Sequence, residues 1–100
     1  MVEVIWTDIA LNDVNDIAEF IANDSEKYSE IQAERFFKAV KVLEAFPESG
    51  KIVSEIMDEN IRELSLGNYR IIYQLVSPKI VAIITVHHRK RLLGNNPAFH

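Results

Sequence analysis

The chain has 100 residues, of which 48% are hydrophobic, with three Gly, three Pro and no cysteine. This size and composition predict one folded domain and exclude a disordered chain, a disulfide framework, a thiolate metal site and a thiol nucleophile. The formal charge of −4 is unevenly divided: residues 1–60 hold fourteen acids against five bases, whereas residues 61–100 hold Arg62, Arg70, Lys79, Arg89, Lys90 and Arg91 against Glu63 alone. A basic segment on an acidic chain points to an anionic partner, either nucleic acid or an acidic protein surface. The first six residues lack the basic region and long apolar core of a secretory signal, and no apolar run approaches the roughly 20 residues that span a bilayer. A soluble cytoplasmic protein is expected, with no membrane association.

Val2, Val4 and Trp6 alternate with Glu3 and Ile5, which predicts a strand over residues 2–6. Thr7 or Asp8 supplies an N-cap for a helix over residues 8–22. There Ala10, Val14, Ile17, Ala18 and Ile21 recur at three- and four-residue spacing, and Asn12, Asp13, Asp16 and Glu19 fill the opposite side. Asn23, Asp24 and Ser25 break the period. Ser29 with Gln32 three positions later has the form of a capping box, predicting a second helix over residues 29–46. Its stripe is Ala33, Phe36, Phe37, Val40, Leu43 and Ala45, and Pro47 stops it. Two adjacent amphipathic helices predict an antiparallel hairpin. Trp6, Phe36, Phe37 and Phe46 fall on the apolar phase of their elements and are expected in the core.

After Pro47-Glu48-Ser49-Gly50 the period changes to that of strands, with segments over residues 51–54, 61–66, 69–76 and 80–87. Gly67-Asn68 and Ser77-Pro78-Lys79 are turns that join the last three into an antiparallel β-meander. The run from Ile80 to Val86 is almost wholly apolar, which predicts a central strand covered on both faces. The architecture is α+β, in the order β-α-α-β-β-β, as a single domain over residues 1–93. Asn95-Asn96-Pro97 carries no period, so residues 94–100 are expected to form a flexible tail.

Strand alternation puts Arg70 on one face with Ile72, and Tyr69, Ile71 and Tyr73 on the other. Arg70 therefore either pairs with Glu63 or another acid across the sheet, or presents its guanidinium to phosphate. Arg62 has the same two possibilities, and cannot pair with Glu63 because adjacent strand residues diverge. His87 and His88 diverge for the same reason, and no other ligand stands at zinc-like spacing, so no metal site and no cofactor are expected. A histidine here beside Arg89-Lys90-Arg91 suits either acid–base work in RNA cleavage or a structural bond to a backbone carbonyl. The basic run adjoins Leu92-Leu93, which together read as a docking edge for an acidic or amphipathic peptide. No glycine-rich phosphate loop, serine elbow or carboxylate pair occurs.

The string Trp6-Thr7 with Ala10, then Phe46-Pro47-Glu48-Ser49-Gly50-Lys51, Ile61-Arg62-Glu63-Leu64, Tyr69-Arg70-Ile71-Ile72-Tyr73 and Val86-His87-His88-Arg89-Lys90-Arg91 resembles the RelE/ParE superfamily of bacterial type II toxins. The resemblance spans residues 2 to about 91 in order and spacing. It implies a helical hairpin laid on an antiparallel sheet and a cognate antitoxin that holds the toxin inactive. RelE-like branches cut messenger RNA on the ribosome, and ParE-like branches poison DNA gyrase. The ending with His87, Arg89 and Arg91, and the Pro47 to Gly50 turn before Lys51, look like ParE.

The resemblance places Arg70 and His87 where some ribonuclease branches carry a phosphate-contacting arginine and an acid–base histidine, with Glu55 near their carboxylate. ParE-like proteins often have the same arginine and histidine. His88 stands where one ribonuclease branch has an aromatic hydroxyl, and residues 52–60 supply acids in place of the lysines typical of RelE. The acidic net charge also suits ribosomal RNA poorly. The implied reading is a ParE-like gyrase inhibitor, with Arg62, Arg70, His87, Arg89, Lys90 and Arg91 as target- or antitoxin-binding residues. Operator DNA would be reached only through the antitoxin. The alternatives are a ribosome-dependent messenger-RNA endoribonuclease using Arg70, His87 and Glu55, and a non-toxic module that pairs with its antitoxin as a co-repressor.

Overall fold

The computed structural model describes residues 1–99. Its elements are β1 (Glu3–Trp6), α1 (Asp8–Ala22), α2 (Glu26–Ala39), β2 (Lys51–Ile52), β3 (Ile61–Leu66), β4 (Tyr69–Ser77) and β5 (Ile80–His88), with a 3-10 turn at Val40–Glu44. The strands form one sheet in the order β1-β5-β4-β3-β2. β2 to β5 are antiparallel neighbours, as the meander pattern predicts, while β1 lies parallel to β5 with Trp6 opposite Ile83. The sheet is therefore mixed, and the class is α+β.

Thr7 explains how the chain leaves β1 for α1. Its hydroxyl accepts from Ala10 N at 3.2 Å as the helix cap, and its proton lies between the carbonyls of Ile83 and Ile84 at 2.7 and 3.0 Å. One side chain thus starts the helix and fixes it to β5. α2 begins earlier than the capping-box pattern suggests: Ser25 accepts from Tyr28 N at 3.1 Å, and Ser29 is buried, donating to the Ala18 carbonyl at 2.6 Å. Ser29 is thus a bond between the two helices inside α2. Helical hydrogen bonding tightens to 3-10 from Val40, six residues before the predicted end.

The helices pack as an antiparallel hairpin, since the Trp6 ring preceding α1 lies 4.8 Å from Phe37 near the end of α2. Ala10, Val14, Phe36, Val40 and Leu43 meet Ile71, Tyr73, Val81, Ile83 and Val86 of the sheet in the main core. On the opposite face of the sheet, Val53, Ile61, Ile72 and Leu93 form a second, smaller core. β5 is covered on both sides, as expected, fully by the helices and partly by the C-terminal segment. Phe36 is fully buried, but Phe37 is 41% and Phe46 66% exposed, so the expectation that both lie in the core does not hold. Both follow the apolar period at the rim of the helices, where Phe37 is covered on one side only, by Trp6, and Phe46 is left largely open; periodicity gives phase, not cover.

The described part of the C-terminal segment is built from short turns. Leu93–Asn95 and Pro97–Phe99 form two 3-10 turns folded back on the sheet, with Leu93 and Asn96 buried. Asn96 replaces regular backbone pairing with side-chain hydrogen bonds, which a period-based reading does not register.

Tyr73 closes the turn before β2: its hydroxyl accepts from Gly50 N at 2.9 Å and donates to the Pro47 carbonyl at 2.8 Å. Gly50 is needed for room, because a Cβ there would lie 2.6 Å from both the Glu63 carbonyl and the Tyr73 hydroxyl. Gly50→Ala is expected to cost about 1–3 kcal/mol by overpacking, measured as a lower urea midpoint.

Candidate functional site

Arg70 lies on the sheet face away from the helices, opposite Ser65 on β3 and His87 on β5. It is buried, at 8% exposure, and so is Glu63 at 4%. Its Nε and Nη2 donate to Glu63 Oε2 at 3.0 and 2.5 Å, and Nη1 and Nη2 donate to the two oxygens of Glu55 at 2.6 and 2.9 Å. The arginine is held by two carboxylates, one from the adjacent strand and one from the loop after β2. Of the two possibilities in the sequence, pairing across the sheet is the one realised. The Arg70 guanidinium depresses the Glu55 carboxyl to about 2, and the two carboxylates raise Arg70 further above its ordinary value.

Arg62 projects from the opposite face, in register with Tyr73. It donates to the carbonyls of Glu59 at 3.1 Å, Gly50 at 3.1 Å and Glu48 at 3.3 Å. This arginine braces the loops on either side of β2 and does not converge with Arg70.

His87 shares the Arg70 face, but both of its ring nitrogens are engaged elsewhere. Nε2 stands 2.9 Å from the Arg91 carbonyl and Nδ1 stands 3.0 Å from Asn96 Nδ2. The ring is buried at 5% exposure. The carbonyl-bonded role foreseen for a histidine here is the one the structure adopts. His88 points to the helix side, edge-on to Tyr69 with ring centroids 5.4 Å apart, so the two histidines diverge. Among the described residues no group of His, Asp and Glu is arranged to hold a metal ion.

The side chains of Arg89, Lys90 and Arg91 are exposed. Their backbone is not loose. Arg89 N donates to the Asn68 carbonyl at 2.8 Å, Lys90 N to His88 Nδ1 at 3.1 Å and Arg91 N to the His88 carbonyl at 3.0 Å. Three consecutive cations therefore leave a turn whose every peptide is tied to the sheet end. Beside them a groove of about 600 Å³ runs between α1 and the sheet, with Ile17, Phe20, Tyr69 and Val86 as its apolar lining and Asp13, Asp16, Lys90 and Arg91 as charged walls. Phe20 is 76% exposed and Leu92 75%.

Two contributors are not singled out in the sequence. Asp13 sits on the polar phase of α1, yet its Oδ2 accepts from Val86 N at 3.0 Å and from the Thr85 hydroxyl. β1 ends at Trp6, opposite Ile83, so the edge of β5 beyond it has no strand partner and Asp13 supplies the acceptor. Asn96 is the other, in a segment with no periodic signal. For Asp13 the available clue is its place three residues after Ala10 and four before Ile17, at the border between the polar side and the apolar stripe; for Asn96 there is none.

A helical hairpin laid on one sheet is the architecture that the resemblance to the RelE/ParE-type toxins implies, and this chain has it. Residues 4–93 match the family described as ParE toxin of type II toxin-antitoxin system, parDE, and the chain belongs to that family. Among solved structures it is similar to a chain of the chromosomal ParDE toxin-antitoxin system from P. aeruginosa, with a TM-score of 0.72 over 88% of this chain and 96% of that one. The identity is 18%, so that likeness concerns the fold. No curated protein sequence matches the chain significantly. No helix among the described residues is long and apolar enough to cross a membrane.

Because the Glu55 carboxyl stands at about 2 against an ordinary 4.5, its pairing with Arg70 stabilises the fold above pH 4.5 and is lost as pH falls towards 2. The Glu55 side chain is 46% exposed, so solvent screens the effect. Glu55→Gln is expected to lower the melting temperature at neutral pH, with the gap from wild type closing across that acid window in a pH series of thermal melts. Arg70→Met, which leaves the buried Glu63 carboxylate with only the 3.8 Å approach of Lys51, is expected to cost about 3–5 kcal/mol in chemical denaturation.

Proposed function

We propose that this ParE-family toxin acts by binding DNA gyrase through the turn carrying Arg89, Lys90 and Arg91, and that a cognate antitoxin neutralises it. The observation that carries this reading is the pinned turn. Its cations are exposed while their backbone is already ordered, so little freedom remains to be lost when a macromolecule is gripped. An anionic surface, whether acidic protein or the DNA held by gyrase, meets three charges in fixed geometry.

The residues a ribonuclease would use are committed elsewhere. Arg70 makes four hydrogen bonds to Glu55 and Glu63, and His87 has both ring nitrogens bonded within the chain. A guanidinium enclosed by two carboxylates offers phosphate little net positive charge. His87 stands apart from Glu55 in its bonding, so the trio lacks the mutual geometry that acid–base cleavage needs. Arg62, Arg70 and His87 support the fold in this reading, and recognition falls to Arg89, Lys90 and Arg91.

The antitoxin is expected to lay an amphipathic helix against α1, where Phe20 and the groove beside it are open, and to bring acids to Lys90 and Arg91. β1 and β2 are the sheet edges; the chain beside β1 already donates from Val2 N to the Glu44 carbonyl, so an added strand is expected at β2. Purified toxin is expected to inhibit gyrase supercoiling and to leave translated messages uncut. Cleaved messages with unaffected gyrase would replace this reading with ribonuclease action. Reversal of both arginines, Arg89→Glu with Arg91→Glu, is expected to abolish gyrase inhibition and to weaken antitoxin affinity by roughly tenfold or more, measured by calorimetry.

A further inference from the structure

We propose that Asn96 is a positioning residue: it fixes the tautomer of His87, and His87 in turn clasps the Arg91 carbonyl and holds the basic turn in its binding geometry. The proposal rests on the reading of that turn as the docking element.

The proton arrangement follows from the bonds. Asn96 is 8% exposed, and its Oδ1 accepts from Ala98 N at 2.9 Å, which fixes which end of the amide is which. The two hydrogens on Nδ2 then go to Thr85 Oγ1 and His87 Nδ1, each at 3.0 Å. His87 Nδ1 must accept, so the proton of the neutral ring sits on Nε2 and is donated to the Arg91 carbonyl at 2.9 Å. Thr85, having accepted from Asn96, donates its own proton to Asp13. Among the described residues no buried side-chain nitrogen or oxygen lacks a partner. Only one arrangement of protons satisfies every member of such a network, and it is the one that makes His87 a donor towards the turn.

The mechanical consequence lies at Arg91. Its N–H is bonded to the His88 carbonyl and its C=O to His87, so its peptide is gripped from both sides. With the other tautomer, Nε2 would present a lone pair to the Arg91 carbonyl and the clasp would open. Asn96 carries no charge and touches none of the three exposed cationic groups, so its replacement alters their placement without altering their number.

The test is a nitrogen-15 spectrum of the imidazole rings of the full-length chain at neutral pH, run beside gyrase supercoiling assays. Wild type is expected to show His87 protonated on Nε2 alone. Asn96→Ala is expected to give mixed tautomers and to need roughly tenfold more toxin for half inhibition, the scale of one lost ordering contact. A wild-type His87 protonated on Nδ1 overturns the proposal without any variant, which also covers the case in which Asn96→Ala does not fold. Retention of both the Nε2 tautomer and full inhibition in Asn96→Ala overturns it too. The paired charge reversal at Arg89 and Arg91 separates the two levels. If that variant inhibits gyrase like wild type, the docking role of the turn fails; if it is inactive while Asn96→Ala is fully active, only the positioning role fails.

Discussion

The ion cluster of Arg70 with Glu63 and Glu55 is the constraint on which the sheet face opposite the helices depends. Burying a guanidinium there is costly, and the cost is offset only because four of its five N–H donors meet carboxylate oxygens in forked geometry. Glu63 comes from the neighbouring strand, but Glu55 comes from an otherwise irregular loop, so the arginine recruits that loop to the sheet. Val53 is fully buried beside Ile72, and Ile56 packs on the same small core. Met57, two residues beyond Glu55, is the one non-glycine residue with a left-handed backbone among those described, at φ 58°. The tether of Glu55 to Arg70 and the burial of Val53 hold that turn against its intrinsic preference.

Neutralising Arg70 also decides which cations remain uncommitted within the fold. Six bases against one acid in residues 61–100 suggest a broadly basic half, but the fold divides them. Arg62 is spent on three backbone carbonyls and Arg70 on two carboxylates, leaving the consecutive run at the end of β5 as the concentrated outward charge. His87 and His88 have parallel uses on opposite faces of the strand. Each bonds the turn that follows, one through the Arg91 carbonyl and one through the Lys90 amide, so the pair forms a two-sided bracket around three cations.

Much of this was legible in the sequence, for identifiable reasons. Helical and strand periods are set by which residues must face a core, so α1 and the meander from β3 to β5 could be placed closely. Strand alternation made pairing of Arg70 with Glu63 one of two open possibilities, and the separation of His87 from His88 followed from the same rule. The start of α2 differs from the capping-box reading because either Ser25 or Ser29 can cap a helix, and only the approach of Ala18 gives Ser29 its other partner. Phe37 and Phe46 lie in phase with buried neighbours at positions the sheet does not reach. The parallel seat of β1 was not legible, since it depends on a strand more than seventy residues away. Asp13 and Asn96 are not legible for a related reason: each satisfies a polar group that exists only after other elements have assembled.

That parallel pairing bears on when the molecule becomes competent. β1 is the earliest element in the chain and β5 the last strand, and their partners, such as Glu3 and Ile80, are separated by most of the sequence. Closing so long a loop is slow compared with forming a helical hairpin or a local meander. During synthesis, β1 and the carbonyl partners of Thr7 on β5 cannot meet until the final strand has left the ribosome. The basic turn follows β5 directly, so its three cations reach their ordered placement together with the sheet that supports them. A sheet built this way stays incomplete until β5 is in place, which leaves an interval in which the helical hairpin and the strands already formed exist without the edge pairing that joins them.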